Sequence, residues 1–300
     1  MADSAKTGGR AGRLQTLRSA STATSRPMAF AGGPATLGRT AELLDAVEPT
    51  RRSDDVILAP DTAKTLLDVV DEYRHADLIK RHHIPLRTKL LLYGPPGCGK
   101  SLTAEVLARE VGLPFLTVKL DAVVGSLLGE TAANLRRVFE AAERQPMVLF
   151  LDEFDALGRS RVDPTEHSEM RRVVNNLLLF IERFHGRGFV VAATNLESSI
   201  DPAIMRRFDE LIYLGPPTQA EIRRLVRLKT KNFPADVDIV ETSKRLEGRT
   251  YADVERICHT AMRRAVIGKR KTISSEDFQY AVEADERRRG ASEQQRLPTS

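Results

Sequence analysis

The chain has 300 residues, of which 41% are apolar and 29% charged, so it is long enough for an α/β domain and a smaller second domain. No run approaches the ~18 apolar residues of a membrane-spanning helix, and two cysteines are too few for a disulfide scaffold, which predicts a cytoplasmic protein. The net charge of +5 belongs to the first 40 residues, with six basic groups and one acid; the remaining chain is neutral and offers no general field for a polyanion.

Both ends of the chain lack a hydrophobic pattern. Residues 1–50 form a basic stretch rich in small polar residues, and residues 286–300 are polar, so we predict disordered tails in both places. The basic tail is interpreted as a solvated extension. An organellar targeting segment and an arm for nucleic acid or a protein partner are the alternatives.

Residues 51–214 alternate short apolar runs with helical patterns. Helical spacing is predicted first over 61–82. Strands are then predicted at 89–93, 115–118, 147–151, 189–193 and 211–214, and helices between them at 100–111, 131–143 and 169–184. This rhythm predicts an α/β fold with a parallel sheet that is flanked by helices on both faces.

After Pro216 and Pro217 the pattern changes. Only helices are predicted from there on, at 219–230, 238–247, 251–267 and 275–284. We therefore predict a small all-helical domain over 215–285.

A glycine-rich segment, GPPGCGKS, runs from Gly94 to Ser101 between a predicted strand and a predicted helix. Its glycines let backbone N–H groups turn towards phosphate oxygens, and the helix start adds partial positive charge. Lys100 is predicted to reach the β and γ phosphates, and the Ser101 hydroxyl to bind Mg²⁺. A glycine-rich turn without a nucleotide is the alternative.

Two adjacent carboxylates, Asp152 and Glu153, follow the apolar run 147–151. Because side chains alternate along a strand, we expect these two on opposite faces. Asp152 is predicted to bind Mg²⁺, and Glu153 to polarise the water that attacks the γ phosphate.

Two further polar segments follow later strands. Asn195 ends the run AATN and is predicted to hydrogen-bond the attacking water and the γ phosphate; a turn asparagine is the alternative. Arg206 and Arg207 follow the turn at Pro202, where a guanidinium can stabilise transition-state charge. The alternative is that the two arginines lie on a solvated face and have no catalytic role.

Residues 54–283 contain five segments in this order: GPPGCGKS, LFLDEFDALG, AATN, DPAIMRRF and EGRTYADVERICHTAM. With these segments the chain resembles the AAA ATPases of the AAA+ superfamily, of the stand-alone, single-ring bacterial type. The compact segment around Arg206 is similar to that of the katanin and spastin branch. The resemblance implies a P-loop ATPase domain with a helical lid, ATP and Mg²⁺ as cofactors, and a homo-oligomeric ring, usually a hexamer. In that ring Arg206 and Arg207 reach the neighbour's ATP.

The resemblance also implies a nucleotide-binding set. The phosphate and metal contacts are Gly94, Pro95, Pro96, Gly97, Cys98, Gly99, Lys100, Ser101, Leu102 and Asp152, and the adenine contacts are Val56, Ile57, Leu225, Lys229, Tyr251 and Ala252. Tyr251 stands where relatives carry glycine.

Two segments resemble the family's pore loops. Leu127, in GSLLGET, stands where relatives usually carry an aromatic residue, which predicts a weaker grip on a threaded chain. A leucine turn anchored on the core is the alternative. The second loop is predicted at 159–167, and Arg171 and Arg172 resemble positions near the subunit interface.

Two classes of function follow. In the first, a ring-shaped, Mg²⁺-dependent ATPase remodels or threads a protein substrate. In the second, the ATPase is a nucleotide switch that regulates a partner enzyme, such as the subtilisin-like proteases often encoded beside similar bacterial proteins, or loads a nucleic-acid machine through the basic arm. Direct nucleic-acid binding by the folded part and a membrane partner are not expected.

Overall fold

Five parallel strands and one antiparallel edge strand form the central sheet of the computed structural model. The structure describes residues 34–123, 130–154, 167–195 and 202–294, and for 34–36, 167–172 and 292–294 it describes only the backbone. The strands are β1 (Leu44–Val47), β2 (Lys89–Tyr93), β3 (Phe115–Val118), β4 (Val148–Leu151), β5 (Phe189–Thr194) and β6 (Glu210–Tyr213). Their order is β1-β3-β4-β5-β2-β6, and β1 alone is antiparallel. The five predicted strands are confirmed to within one residue at each end.

Alternation along the central strands explains their uninterrupted apolar runs. On β5, Val190 and Ala192 face one core, whereas Val191 and Ala193 face the other. All four side chains are buried, because helices cover both faces of the sheet.

The helices of the α/β domain divide between those two faces. They are α1 (Pro60–Arg74), α2 (Ala76–Arg81), α3 (Lys100–Val111), α4 (Leu120–Val123), α5 (Glu130–Arg144), α6 (His167–Glu182) and α7 (Pro202–Met205). Helices α5 and α6 pack on one face, and α1 and α3 on the other. The single helix predicted over 61–82 is two helices, because His75 leaves the helical conformation at φ −104°, ψ 22°.

The second domain, which we call the lid, has its own core. It comprises α8 (Gln219–Lys229), α9 (Ile239–Arg245), α10 (Tyr251–Ile267) and α11 (Ser275–Gln294). Capping boxes begin α8 at Thr218 and α10 at Thr250, as their sequences favour. The structure adds one parallel pair of two-residue strands, β7 (Ala235–Asp236) and β8 (Ile273–Ser274), to the predicted helices. The described helices are all too short or too polar to cross a bilayer.

The predicted tails are wrong in part. Residues 34–43 form 3-10 turns, and β1 then pairs with β3 through Leu44 and Val118. Leu43 and Leu44 are buried, so tertiary contacts order a segment whose composition alone predicts disorder. β1 also covers the edge of β3, which would otherwise be unpaired.

The C-terminal boundary at 285 is also wrong, because α11 continues to Gln294. Asp285 is the reason for order at this point. Its side chain is 2% exposed and accepts from Arg249 at 2.7 Å and from Arg256. These two arginines belong to the start of α10 and the turn before it, so α11 is fixed to the rest of the lid.

We expect Asp285→Asn to lower the free energy of unfolding by about 3–5 kcal/mol, because it removes the buried one of the two carboxylates that pair with the buried guanidinium of Arg249. Glu286→Gln is the matched control, since Glu286 also contacts Arg249 but is 60% exposed, and exposed ion pairs contribute about 1 kcal/mol or less. Denaturant unfolding measures both. Equal losses in the two variants would contradict a special role for the buried carboxylate.

Candidate active site

The glycine-rich loop joins β2 to α3 in a conformation that requires glycine. Gly94, Gly97 and Gly99 have φ values of 141°, 76° and 86°. A Cβ on Gly94 would lie 2.2 Å from the carbonyl oxygen of Leu214, so no larger residue fits there. Helix α3 starts at Lys100 without a side-chain cap, which leaves its first N–H groups available to an anion.

Lys100 is held over this loop. Its side chain is buried, and Nζ donates to the carbonyl oxygens of Gly94 at 2.7 Å and Pro95 at 2.9 Å. The ammonium therefore lies against the same loop whose N–H groups suit phosphate oxygens. One short segment thus offers a polyphosphate both a positive charge and backbone hydrogen-bond donors.

Ser101 and Asp152 meet directly. The Ser101 hydroxyl donates to Oδ2 of Asp152 at 3.0 Å, across 51 residues of sequence. A hydroxyl and a carboxylate are ligands that suit Mg²⁺, which typically uses one or two protein carboxylates and completes its shell with phosphates and water. Within the described ranges no three His, Cys, Asp or Glu side chains are grouped to hold a metal by themselves. The donor set thus fits a metal ion that arrives with a nucleotide.

Glu153 is separated from Asp152 by backbone conformation. The prediction that strand alternation would separate the two carboxylates was wrong, because β4 ends at Leu151 and Glu153 adopts φ 49°. Its N–H donates to Oδ1 of Asp152 at 2.8 Å, and the next N–H, of Phe154, donates to Ala193 on β5 at 2.9 Å. These bonds hold a left-handed turn that is costly for a non-glycine residue and leaves Glu153 exposed.

The strand ends gather the remaining predicted groups. β2 lies between β5 and β6 and pairs Tyr93 with Thr194, so Asn195 follows a strand next to the glycine-rich loop. β4, which precedes Asp152, pairs with β5 on its other side. The carboxyl ends of β2, β4 and β5 therefore form one edge, the usual position of ligands on parallel sheets.

Arg206 and Arg207 differ in their contacts. Arg207 forms an ion pair with Glu182 at the end of α6, whereas Arg206 is exposed and has no ion pair within the described ranges. Phe208 is buried and packs edge-on against Phe154, with ring centroids 6.3 Å apart. This contact anchors the arginine segment beside the turn that holds Glu153. Nothing in the sequence spacing pointed to Glu182, which lies 25 residues from Arg207.

The lid touches the glycine-rich loop through the start of α10. The N–H of Ala252 donates to the carbonyl oxygen of Gly97 at 3.1 Å. Tyr251 is half-buried between the two cores and bonds Glu221; burial first, and the Glu221 carboxylate second, raise the pKa of its phenol. The contact with Glu221 fixes the phenol to α8.

Of the six predicted adenine contacts, Ile57 and Leu225 lie in the lid core, and Tyr251 packs against it. Val56 and Ile57 line a cavity that Leu225, Lys229, Tyr251 and Ala252 do not line. Leu225 is buried in the lid core, and Lys229 Nζ bonds Glu255 at 2.6 Å. Residues 124–129, with Leu127, and most of the second predicted loop lie outside the described residues, as do the side chains of Arg171 and Arg172.

Gly97→Ala is expected to weaken nucleotide binding by at least about tenfold, a loss of about 1.4 kcal/mol. A Cβ at this position would lie 2.9 Å from the Thr250 hydroxyl, so the loop and the lid must separate. Gly248→Ala is the matched control, because Gly248 has the same φ of 76° but open space around its Cβ. Titration with a fluorescent ATP analogue compares the two. Equal affinity losses would show that only backbone strain matters.

The site has the arrangement of the P-loop nucleotide hydrolases. A glycine-rich loop joins a strand to the start of a helix, and carboxylates at the end of a nearby strand lie beside it. Comparisons with known proteins agree. The sequence profile described as "ATPase family associated with various cellular activities (AAA)" matches residues 90–216. The AAA family ATPase y4kL of Sinorhizobium fredii is 47% identical over 249 residues, which cover 83% of this chain and 76% of that protein.

Two longer relatives are matched over part of their length. The ATP-dependent zinc metalloprotease FtsH 3 of Sphaerobacter thermophilus is 34% identical over 257 residues, 83% of this chain and 53% of that protein. Protein SAV of Sulfolobus acidocaldarius is 38% identical over 195 residues, 63% of this chain and 25% of that protein. The chain belongs to the AAA family of ATPases, and it is an ATP-hydrolysing enzyme.

Proposed function

We propose that the chain is a Mg²⁺-dependent ATPase that works as a homo-oligomeric ring, with six subunits expected, and remodels or threads a protein substrate. One observation carries the proposal. Arg206 is exposed on a segment that Phe208 and the Arg207–Glu182 ion pair hold in place, and it has no ion pair among the described residues. An exposed guanidinium on an anchored segment next to an active-site turn suits a contact with a neighbouring subunit.

Each residue has a distinct part in the proposed reaction. Lys100 and the loop N–H groups bind the ATP phosphates, and Ser101 and Asp152 hold Mg²⁺, which neutralises phosphate charge when bound. Glu153 accepts a proton from the attacking water, and Asn195 orients that water. Arg206 and Arg207 of the next subunit stabilise the charge that develops on the γ phosphate.

A nucleotide switch that regulates a partner enzyme is the second candidate. The FtsH relative is named as an ATP-dependent zinc metalloprotease. In the part of this chain that the structure describes, no three His, Cys, Asp or Glu side chains are grouped so that they could hold a metal ion. Burial raises the pKa of the Cys258 thiol to about 12, so Cys258 is no nucleophile at neutral pH. As part of this second candidate we propose that a partner protein would carry out the proteolysis, in the cytoplasm where we expect both to reside.

We expect a permanently unfolded protein, such as reduced and carboxymethylated lactalbumin, to raise ATP turnover several-fold, because a threading ring hydrolyses faster when its channel is occupied. Duplex DNA in place of the protein is the comparison. Stimulation by DNA alone, falling steeply with salt, would favour the nucleic-acid loader instead. Leu127→Ala and Leu127→Tyr then test the pore loop. Equal unfolding of a tagged substrate by all three proteins would remove Leu127 from the mechanism.

A further inference from the structure

A cavity of about 520 Å³ lies where the α/β domain meets the lid. Its aliphatic wall comes from α1, α3 and the segment before α1. The residues of that wall are Leu58, Leu66, Leu67, Val70, Val106 and Leu107. The volume falls within the range of roughly 300–1,000 Å³ that is usual for small-molecule sites.

This cavity is separate from the phosphate-binding loop. None of residues 94–101 lines it, and it shares only Val56 and Ile57 with the predicted adenine contacts. Two polar residues of α3, Thr103 and Glu110, line the cavity, and the Thr103 hydroxyl already donates to the carbonyl oxygen of Gly99 at 2.8 Å. The part of the lining that α1 and α3 supply is therefore mostly aliphatic.

The mouth of the cavity is cationic. Arg224, Arg227 and Lys231 line it from α8 and the turn that follows, and all three are exposed. Within the described ranges, neither Arg227 nor Lys231 forms an ion pair. Of the two acidic residues in the lining, Glu110 lies 3.6 Å from Arg74, which offsets its charge, and Asp54 is the other. The mouth thus keeps a net positive charge.

Aliphatic walls below a cationic mouth suit a flexible hydrocarbon chain with an anionic head. The described lining has no aromatic ring on which a planar base could stack, and few polar groups converge inside. We propose that the cavity binds a medium-chain fatty carboxylate, with its chain against α1 and α3 and its carboxylate at Arg227 and Lys231. Such a ligand contacts both domains, so its binding would fix the lid relative to the α/β domain.

Isothermal titration of the full chain with sodium decanoate, below its micelle concentration and without nucleotide, tests the proposal. We expect saturable binding of one decanoate per chain. The double variant Arg227→Glu/Lys231→Glu should weaken it at least about tenfold, because the head group loses its cations. Arg223→Glu is the matched control, since Arg223 lies on the same helix but does not line the cavity. Ala63→Phe fills the cavity from α1 and should also abolish binding.

Three results would overturn the proposal. The first is the absence of saturable decanoate binding to the unaltered protein. The second is equal binding of decyltrimethylammonium, which has the same hydrocarbon chain and the opposite charge. The third is displacement of decanoate by MgADP, which would assign the cavity to the nucleotide site. Circular dichroism and ATP turnover verify that each variant is folded. Should Ala63→Phe fail to fold, the double variant and its control still decide the result. Because no nucleotide is present, failure here leaves the proposed ring mechanism untouched.

Discussion

Glu153→Gln is expected to lower kcat for ATP hydrolysis by a factor of about 10² to 10⁴, the usual contribution of a general base. Affinity for ATP should change little, because Lys100, Ser101 and Asp152 keep their contacts. The amide of glutamine preserves the size of the side chain and cannot accept the proton of water. Turnover and fluorescent-nucleotide titration measure the two quantities. Asp152→Asn is the comparison, since it should weaken Mg²⁺-dependent binding as well as turnover.

The same variant makes assembly visible. Because ATP persists in Glu153→Gln, we expect closed rings with an open channel in negative-stain images after ATP addition. Monomers under those conditions would contradict both the threading and the switch proposals. A kcat within twofold of the unaltered chain would show that another group activates the water.

Arg206→Ala is expected to lower kcat by a factor of about 10³ to 10⁵, the range found for arginine fingers. The loss should depend on assembly and not on the fold, since Arg206 is exposed and forms no ion pair among the described residues. Arg207→Ala should also lower turnover. Glu182→Gln serves as its control, because it breaks the Arg207 ion pair while keeping the guanidinium, and such a half-exposed pair contributes about 1 kcal/mol or less to stability.

A mixing experiment decides whether the arginine acts on the neighbouring subunit. Arg206→Ala retains Glu153, and Glu153→Gln retains Arg206, so about a quarter of the interfaces in randomly mixed rings contain both groups. We expect two nearly inactive proteins to regain turnover when they are mixed. No recovery, or full turnover by protomers at high dilution, would show that each active site is complete within one chain.

Local patterns were sufficient for much of this structure. The bounds of β2 to β6 and of α3, α5 and α6 followed from apolar periodicity to within two residues, and the predicted starts of α8 and α10 coincide with capping boxes at Thr218 and Thr250. The glycine-rich loop was identified from its own residues, because phosphate binding by N–H groups depends on a few consecutive glycines and a helix start. These features involve interactions over a few residues, and so the sequence determined them by itself.

Contacts between distant residues decided the rest. The pairing of β1 with β3 orders a segment that composition assigned to a tail, and the buried Asp285 extends α11 past its predicted end. The left-handed turn at Glu153 depends on a bond from Phe154 to β5, and the position of Arg207 depends on Glu182. Each of these features needs a partner from another element. Burial and pairing across the fold are properties of the tertiary structure, and periodicity along one segment carries no information about them.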